Sequence, residues 1–465
     1  MNKHFLNNKT HIHFIGIGGS GMYPLAQILH GQGYNLSGSD NNETETLQAV
    51  RAMGIPVYLG QRAENIKGAD LIVYTAAIME DNPELSAARA ASKDGVEVVE
   101  RSELLGLITS FYDNAICVSG THGKTTVSSM ITQILAGQGL DISAVIGGKL
   151  PLINGSGLSG SSDIMVCEAC EFADHFLNLY PDISVILNID ADHLDYFKTL
   201  ENIIESFRKF AEKTTKAVIV NGDDPNSMKA IESLTDSAEI ITFGISPEND
   251  WYADNIRHIG GMTSEYSLYY KKDKVCDIIL NVPGAHNIIN SVAAAAAAHY
   301  AGSAADGIID GLREFKGAAR RFDKYGEVNG IAVFDDYAHH PAEIEVTLKA
   351  AKGLGFKRVR AVHQPFTFSR TAALTDDFAE SLSIADEVIL TSIMGGREKN
   401  TIGIKSGDLG AKITNCIWFE EEEHDKSFQL VCDYVCGNAL PCDLIITLGC
   451  GDVNKLARMI LDKLK

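Results

Sequence analysis

The residues best suited to chemistry lie in one short loop, Ser-Gly-Thr-His-Gly-Lys-Thr-Thr, which ends at Thr126. An apolar run from Ala115 to Val118 precedes the loop, and a segment compatible with a helix follows it to Leu135. Between a strand and a helix, such a loop binds a polyphosphate with its backbone N–H groups, its lysine reaches the outer phosphates, and its next hydroxyl binds Mg²⁺. Val118 stands where the common pattern has its first glycine, so the loop is a variant. It predicts binding of ATP or GTP by Gly120, Thr121, His122, Gly123, Lys124, Thr125 and Thr126.

Two further groups stand at the ends of predicted strands and are suited to a metal. Glu168 closes the run from Asp163 to Ala169, and His193 follows the run from Ile183 to Ile189. Taken alone, each would more often be a capping or surface group. If the strand ends share one edge of a sheet, both side chains converge on the metal bound by the loop threonine. Mg²⁺ prefers a carboxylate, whereas an imidazole suits it less well and would act through water or on a second ion. The predicted metal ligands are thus Thr125, Glu168 and His193.

A second glycine loop lies near the start of the chain. It reads Gly-Ile-Gly-Gly-Ser-Gly, follows the apolar run from His11 to Ile17 and precedes a helical pattern. Asp40 ends the next predicted strand about twenty residues on, where dinucleotide-binding folds place an acidic residue on a ribose. Thr75 and Arg101 fall at or just beyond two later strand ends, although both are equally explained as ordinary loop residues. The predicted ligand of this region is a nucleotide or a relative of one, bound by Gly16, Gly18, Gly19, Ser20, Gly21, Asp40, Thr75 and Arg101.

The elements that must position these groups are alternating strands and helices, which predict parallel sheets. Beyond Trp251 the pattern changes to short alternating runs, such as Glu265 to Tyr270 and Lys274 to Leu280, which look antiparallel. A third strand-helix unit begins at Ile331. We therefore expect an α/β protein of three domains. These are a Rossmann-like domain over residues 1–112, a central domain with a P-loop ATPase-type parallel sheet over 113–324, and a Rossmann-like α/β domain over 325–465.

Composition limits the partners of the chain. Its 465 residues carry a formal net charge of −21, which disfavours a broad surface for nucleic acid or for an anionic membrane. The sequence has no apolar stretch of ~20 residues and no signal-peptide core, and an odd number of cysteines suits a reducing compartment. We expect a cytoplasmic protein with small-molecule partners, either a monomer or a homodimer.

Seven signatures that recur in order along the chain resemble those of the Mur ligases. They are the two glycine loops, Glu168-Ala169-Cys170-Glu171, Asp192-His193, His286-Asn287 with Asn290, Arg320-Arg321-Phe322 and Asp335-Asp336-Tyr337. The resemblance spans all three expected domains. It implies that the first domain binds a UDP-sugar and the second ATP, with Asn287 and Asn290 on the nucleotide, Arg321 on phosphate and Asp336 on the ATP ribose. It also implies an amino-acid site at Tyr337, His339 and Arg370.

The activity implied by this resemblance is that of an ATP-dependent carboxylate-amine ligase. Such an enzyme joins L-alanine to the lactyl carboxylate of UDP-N-acetylmuramate through an acyl phosphate, in the synthesis of peptidoglycan precursors. ATP and Mg²⁺ are the implied cofactors. Because both chemical steps build charge on phosphoryl oxygens, the work of the protein is positioning and electrostatic stabilisation. The expected catalytic residues are Lys124, Glu168, His193 and Arg321.

Three positions depart from the family pattern. Cys170 replaces an aspartate, which reduces the negative charge near the metal. Phe366 replaces a histidine, so the family's amino-acid pocket does not carry over unchanged. Ala338 replaces a glycine, which matters only if that backbone needs a positive φ.

Three alternatives remain. The nearest is a sister ligase that attaches a ready-made peptide to the same nucleotide sugar. A NAD-dependent dehydrogenase would explain the first glycine loop but would leave the second loop idle. A non-catalytic nucleotide-binding regulator would leave the metal ligands without a role.

Overall fold

A computed structural model of the chain describes residues 5–234, 238–396, 398–421 and 423–465. They form two compact units. The first unit runs to Ile256 and adds Glu265–Ile279 and Ile288–Phe315, and the second comprises Arg257–Ser264, Leu280–Asn287 and Lys316–Lys465. Every helix within the described ranges is too short or too polar to cross a membrane.

The N-terminal sheet has five parallel strands in the order β3-β2-β1-β4-β5. All four residues of β1 and three of the four in β4 are buried, as expected for a sheet covered on both faces. The expected parallel sheet is therefore confirmed. Its strands are β1 (Ile12–Ile15), β2 (Leu36–Asp40), β3 (Val57–Leu59), β4 (Leu71–Tyr74) and β5 (Glu97–Glu100), and its helices are α1 (Tyr23–Gly31), α2 (Glu45–Ala52), α3 (Pro83–Ala91) and α4 (Arg101–Thr109).

The central sheet has ten strands in the order β15-β14-β13-β12-β11-β10-β6-β9-β7-β8. The strands from β12 to β7 in this order are paired in parallel, which confirms the expected parallel core. The edge strand β8 is antiparallel to β7, and the sequence did not predict this hairpin. The strands are β6 (Asn114–Ser119), β7 (Ser143–Leu150), β8 (Gly155–Leu158), β9 (Ile164–Glu168), β10 (Ile183–Ile186), β11 (Ala217–Asn221), β12 (Glu239–Gly244), β13 (Trp251–Gly260), β14 (Thr263–Tyr270) and β15 (Asp273–Leu280).

Helices cover the central sheet and pack closely where their residues are small. The alanines from Ala293 to Ala298 are buried, and Gly311 approaches Ile134 so closely that an added Cβ would lie 2.6 Å from the Ile134 Cα. A short 3₁₀ helix, Phe172–Asn178, follows β9. The helices are α5 (Lys124–Gly137), α6 (Leu194–Phe197), α7 (Leu200–Glu212), α8 (Pro225–Ile231), α9 (Ala285–Tyr300) and α10 (Ala305–Glu314).

The C-terminal sheet has six strands in the order β16-β17-β21-β18-β19-β20, all parallel except β16. Its central strands β17 and β21 are buried along their whole length. The strands are β16 (Asp323–Val328), β17 (Ile331–Asp336), β18 (Arg358–His363), β19 (Glu387–Leu390), β20 (Cys416–Trp418) and β21 (Asp443–Leu448). The helices are α11 (Pro341–Gly353), α12 (Phe368–Ala373), α13 (Thr375–Leu382), α14 (Ser406–Gly410), α15 (His424–Gly437) and α16 (Asn454–Leu464).

Candidate active site

The phosphate loop connects β6 to α5 at the centre of the ten-stranded sheet. Strand β6 lies between β9 and β10 and is parallel to both, so the carboxyl ends of all three strands lie at the same edge. Gly120 has φ of 144° and Gly123 has φ of 88°, conformations that favour glycine. A Cβ on Gly123 would lie 2.9 Å from Oδ1 of Asn290, so the predicted nucleotide ligand Asn290 lies directly against the loop. The structure thus brings the loop and Asn290 together.

The segment after β10 braces the phosphate loop through Asn188. Its Oδ1 accepts a hydrogen bond from the His122 backbone N at 2.8 Å, and its Nδ2 donates to the His122 carbonyl at 3.1 Å. The Thr121 N donates to the Asn188 carbonyl at 3.0 Å, and the Asp190 N donates to Thr121 Oγ1 at 2.9 Å. These four bonds attach the loop to the segment that follows β10. The sequence reasoning missed Asn188, although a polar residue just beyond a buried strand was a usable signal.

Lys124 is held by backbone carbonyls and by a carboxylate that the sequence reasoning also missed. Its Nζ donates to the Gly120 and Thr121 carbonyls at 2.6 and 3.0 Å and lies 2.9 Å from Oε2 of the buried Glu171. Burial lowers the pKa of Lys124, but the charges around it, Glu171 foremost, outweigh burial and hold the pKa above its usual value. The lysine is therefore a permanent cation at the loop. Glu171 was visible in the sequence as the second glutamate of Glu168-Ala169-Cys170-Glu171.

Thr125 and Glu168 form the oxygen-rich part of the site. Thr125 Oγ1 donates to Glu168 Oε2 at 2.7 Å, and the Gly147 N donates to the same oxygen at 3.0 Å. A Cβ on Gly147 would lie 2.3 Å from Glu168 Oε2 and 2.6 Å from Thr125 Oγ1, so only glycine leaves this space clear. A hydroxyl and a carboxylate fit Mg²⁺, which takes few protein ligands and completes its shell with phosphates and water. Among the described residues no group of three or more His, Cys, Asp or Glu is arranged to hold a metal.

His193 lies beside Glu171, the partner of Lys124. Its Nε2 is 3.9 Å from Glu171 Oε1 and 3.8 Å from Asp192 Oδ2, and its ring meets Phe172 edge-on at 4.9 Å. Its backbone has φ of 52°, a strained conformation for a residue with a side chain. Lys124 and His193, both predicted members of the site, therefore lie on either side of Glu171. A metal-binding role for His193 stays a prediction.

The first glycine loop is shaped by Ser39 and Asp40, at the end of β2. Gly16 and Ile17 donate their N–H groups to the Ser39 carbonyl at 2.8 and 2.9 Å, and the Gly18 N donates to Asp40 Oδ2 at 3.1 Å. A Cβ on Gly18 would lie 2.9 Å from that carboxylate oxygen, so the close approach needs glycine. Asp40 therefore shapes the loop, and its contact with a ribose stays a prediction.

Arg101, the first residue of α4, lies across the same loop. A Cβ on Gly21 would lie 3.0 Å from Cδ and 3.3 Å from Nε and NH1 of this arginine. The structure thus adds a guanidinium to a loop that has no basic residue of its own. Thr75 instead forms a turn, in which its carbonyl accepts from the Ile78 N at 2.8 Å. Beyond this turn lies a cavity of about 420 Å³, lined among others by Asn41, Gln61, Ile78, Met79 and Asn82.

The second compact unit contains Arg320, Arg321 and Asp336. Arg320 donates to Asp335 Oδ2 and to the Gly449 and Gly451 carbonyls, so it ties the ends of β17 and β21 together. Burial raises the pKa of Asp336 to about 6, although the charge of Arg321 opposes it. Its carboxylate accepts hydrogen bonds from the Phe322 N at 2.6 Å and the Ala338 N at 2.7 Å. Asp336 therefore shapes this turn, and its contact with a ribose stays a prediction.

Two of the predicted amino-acid ligands of that unit, Tyr337 and Arg370, both lie close enough to Cys450 to interact with it electrostatically. The Tyr337 ring faces the guanidinium carbons of Arg320 at 4.9 Å and Arg321 at 5.2 Å, and it meets His339 edge-on at 5.5 Å. Arg370 lies in α12. Burial raises the pKa of Cys450, in the loop after β21, to about 12, and the positive charge of Arg370 opposes this rise.

The remaining predicted positions have structural contacts of their own. Asn287 also belongs to the second unit, where its Nδ2 donates to the Pro283 carbonyl at 2.7 Å. Phe366 packs on Gly396, whose added Cβ would lie 3.4 Å from the ring. Ala338 does not have a positive φ, so its replacement of glycine introduces no strain. Burial raises the pKa of the Cys170 thiol, which lies between the two glutamates in sequence.

Comparisons with known proteins agree along the whole chain. Family models match residues 11–113 (Mur ligase family, catalytic domain), 118–298 (Mur ligase middle domain) and 320–451 (Mur ligase, glutamate ligase domain). The UDP-N-acetylmuramate--L-alanine ligase of Caldicellulosiruptor saccharolyticus is 43% identical over 466 residues, which cover 100% of this chain and 99% of the relative. The protein of the same name from Agathobacter rectalis is 42% identical over 470 residues and 100% of both chains.

Two solved structures show the same fold. The UDP-N-acetylmuramate-alanine ligase of Thermotoga maritima matches with a TM-score of 0.79 at 24% identity, over 97% of this chain and 98% of that one. A murein peptide ligase from Psychrobacter arcticus matches with a TM-score of 0.71 at 23% identity, over 98% of both chains.

Proposed function

Because this chain belongs to the Mur ligase family, we propose that it joins L-alanine to the lactyl carboxylate of UDP-N-acetylmuramate at the expense of ATP. The observation that carries the proposal is the presence, in one compact unit, of two glycine loops that each connect a parallel strand to a helix and differ in their charged neighbours. The loop at Gly120 contains Lys124 and adjoins the oxygen atoms of Thr125 and Glu168. The loop at Gly16 contains no basic residue, lies against Arg101 and is hydrogen-bonded to Asp40. A ligase that couples ATP to a nucleotide sugar needs both. A cytoplasmic location, where ATP is available, belongs to the same proposal.

The chemistry follows from the weakness of a carboxylate as an acylating agent. A lactyl carboxylate oxygen attacks the γ-phosphorus of ATP, ADP leaves, and an acyl phosphate forms. The amine of L-alanine then attacks the acyl carbon, loses a proton, and the C–O bond to phosphate breaks. Lys124 is positioned to stabilise charge on the outer phosphates, and the backbone N–H groups of the loop bind the others.

The oxygen pair Thr125 and Glu168 would hold Mg²⁺, with Gly147 leaving the room beside them. A bound Mg²⁺ supplies electrostatic stabilisation of phosphoryl oxygens. Glu171 keeps Lys124 charged and directed toward the loop, and His193 closes the other side of Glu171. In the first domain, Arg101 would neutralise the UDP diphosphate, and the cavity beside Asn41 and Gln61 is proposed for the base.

The relatives that match over the full chain at 42–43% identity are named as L-alanine ligases, which favours the free amino acid over a peptide. The murein peptide ligase of similar fold keeps the sister activity as the second candidate. A dehydrogenase would leave Lys124, Glu168 and Glu171 without a role. The three-domain division at residues 112 and 324 and the amino-acid site at Tyr337, His339 and Arg370 remain proposals.

Phosphate release by the purified full-length protein tests this proposal. With ATP, Mg²⁺ and UDP-N-acetylmuramate present, we expect rapid release on addition of L-alanine and slower release with glycine or L-serine. Without the nucleotide sugar, release should stay at background. Release with a tripeptide and none with L-alanine would contradict the proposal and support the sister ligase instead.

A further inference from the structure

Three aromatic side chains form an exposed patch beside the catalytic lysine. We define the aromatic patch as Phe172, His193 and Tyr196. The Phe172 ring lies 4.9 Å from the His193 ring and 6.4 Å from the Tyr196 ring. Phe172 is 39% exposed and Tyr196 is 43% exposed, so part of each ring is accessible to a ligand.

The backbone under the patch is strained rather than loose. Ala173 and Asp174 have φ of 52° and 59°, and His193 and Lys198 also have positive φ. Non-glycine residues in this region store strain, which concentrates at functional sites. Asp174 fixes the arrangement, because its Oδ2 accepts from the Tyr196 hydroxyl at 2.8 Å and its Oδ1 accepts from Ser206 Oγ.

On one side the patch reaches the phosphoryl-transfer residues. His193 Nε2 is 3.9 Å from Glu171 Oε1, and Glu171 is paired with Lys124. A group lying on the patch would therefore have its neighbouring atoms next to the outer phosphates of ATP.

On the other side the patch connects to the first glycine loop. The 3₁₀ helix that begins at Phe172 ends at Asn178, whose Nδ2 donates to Ser102 Oγ at 2.9 Å. Ser102 follows Arg101, which lies across Gly21 of the first glycine loop. His175 lies in the same 3₁₀ helix. Burial lowers its pKa, the negative charge of Glu100 raises it, and the positive charge of Arg101 lowers it. A series of contacts thus links the segment that contains the patch to both glycine loops of this unit.

We propose that the aromatic patch binds the pyranose ring of the nucleotide sugar and thereby directs the lactyl carboxylate toward Lys124 and Glu171. This inference rests on the proposed function. The sugar is the part of that substrate between the diphosphate and the reacting carboxylate, and the patch is linked by contacts to both of the loops proposed for them. A pyranose presents a face of C–H bonds, which pack on the electron-rich faces of exposed aromatic rings. Phe172 and Tyr196 are therefore specificity-determining residues for the sugar, with no role in binding uridine or ATP.

Binding of three ligands to the full-length protein tests this inference, measured by isothermal titration calorimetry with UDP, UDP-N-acetylglucosamine and UDP-N-acetylmuramate. In Phe172→Ala we expect the Kd of both sugar nucleotides to rise about tenfold and the Kd of UDP to stay unchanged, because a stacked ring contributes on the order of a tenfold change. Phe172→Tyr should restore sugar binding. Phe172→Leu should not, because it keeps apolar volume but has no ring face.

Tyr180→Ala is the matched control. Tyr180 is 42% exposed, and its ring lies under Lys213 Nζ at 5.1 Å rather than in the patch. It should leave all three Kd values unchanged. In steady-state assays, Phe172→Ala should raise the KM for the nucleotide sugar and leave the KM for ATP as it is.

The inference would be overturned if Phe172→Ala left sugar-nucleotide binding unchanged, weakened UDP equally, or raised the KM for ATP alone. Measuring ligation by the unaltered protein distinguishes a wrong role for the patch from a wrong proposed function. If the unaltered protein catalyses the ligation and the Kd ratios do not move, only the role of the patch is wrong.

Discussion

The two glycine loops of the first unit, both proposed to bind phosphate, differ in where their positive charge originates. Each follows a buried parallel strand and precedes a helix. The loop at Gly120 contains its own cation, Lys124, kept charged by Glu171. The loop at Gly16 has no cation of its own and receives Arg101 from a later helix. A loop that contains a lysine and adjoins oxygen ligands for a metal suits phosphoryl transfer. A loop whose nearby cation is an arginine from another helix suits binding of a diphosphate without transfer.

The largest effect is expected from Lys124→Ala. Removing the cation at the site of phosphoryl transfer should lower kcat by at least about 10³-fold, because this charge acts on the transition state. The Kd for UDP-N-acetylmuramate, measured by calorimetry, should not change. If turnover survived, the distinction between a catalytic and a binding loop would fail.

Gly147→Ala should be the next most damaging change. Its Cβ would meet Glu168 Oε2 at 2.3 Å and Thr125 Oγ1 at 2.6 Å, which displaces the proposed Mg²⁺ ligands. We expect a loss of roughly 10- to 100-fold in activity at limiting Mg²⁺, the range seen when the support of metal ligands is disturbed. Gly155→Ala in the paired strand is the control, because the nearest atom to its added Cβ is 3.8 Å away. Equal activity of both variants in a Mg²⁺ titration would refute the oxygen pair as the metal site.

Arg101→Ala tests whether the arginine from α4 supplies the positive charge at the first glycine loop. Loss of a charge-assisted contact to the diphosphate should raise the KM for the nucleotide sugar roughly tenfold and leave the KM for ATP unchanged. Arg89→Ala removes an exposed arginine paired with Glu80 and serves as the control. A rise in the KM for ATP instead would assign Arg101 to the other loop.

Asp40→Asn should have the smallest effect. An amide oxygen can still accept from the Gly18 N, as the carboxylate oxygen does at 3.1 Å. We expect a change of about two- to threefold in the KM for the nucleotide sugar. A loss of tenfold or more would show that the charge of Asp40, rather than its shaping of the loop, matters for binding.

Local signals explain what the sequence could predict. The strand before Gly120, the strand end at Glu168 and the helix from Lys124 each depend on neighbours in sequence, and the structure has all three. The missed hairpin β7–β8 contains a Gly-Gly pair and lacks an alternating pattern. Strand β13 is exposed over most of its length, so no burial pattern marked it.

The missed site residues share a different cause. Gly147, Glu171 and Asn188 act through contacts with residues 21 to 66 positions away in sequence. Their roles depend on the order of β7, β9, β6 and β10 in the sheet, which no local pattern specifies. Only the pairing of strands brings Glu171 to Lys124 and Asn188 to His122.

The most direct test of the central claim follows oxygen from the lactyl carboxylate. UDP-N-acetylmuramate labelled with ¹⁸O at both oxygens of that carboxylate is incubated with ATP, Mg²⁺, L-alanine and the full-length protein, and the released phosphate is analysed by mass spectrometry. An acyl phosphate breaks at the bond between carbon and the bridging oxygen, so each phosphate should carry one labelled oxygen. Phosphate without label, released in step with amide formation, would contradict the account.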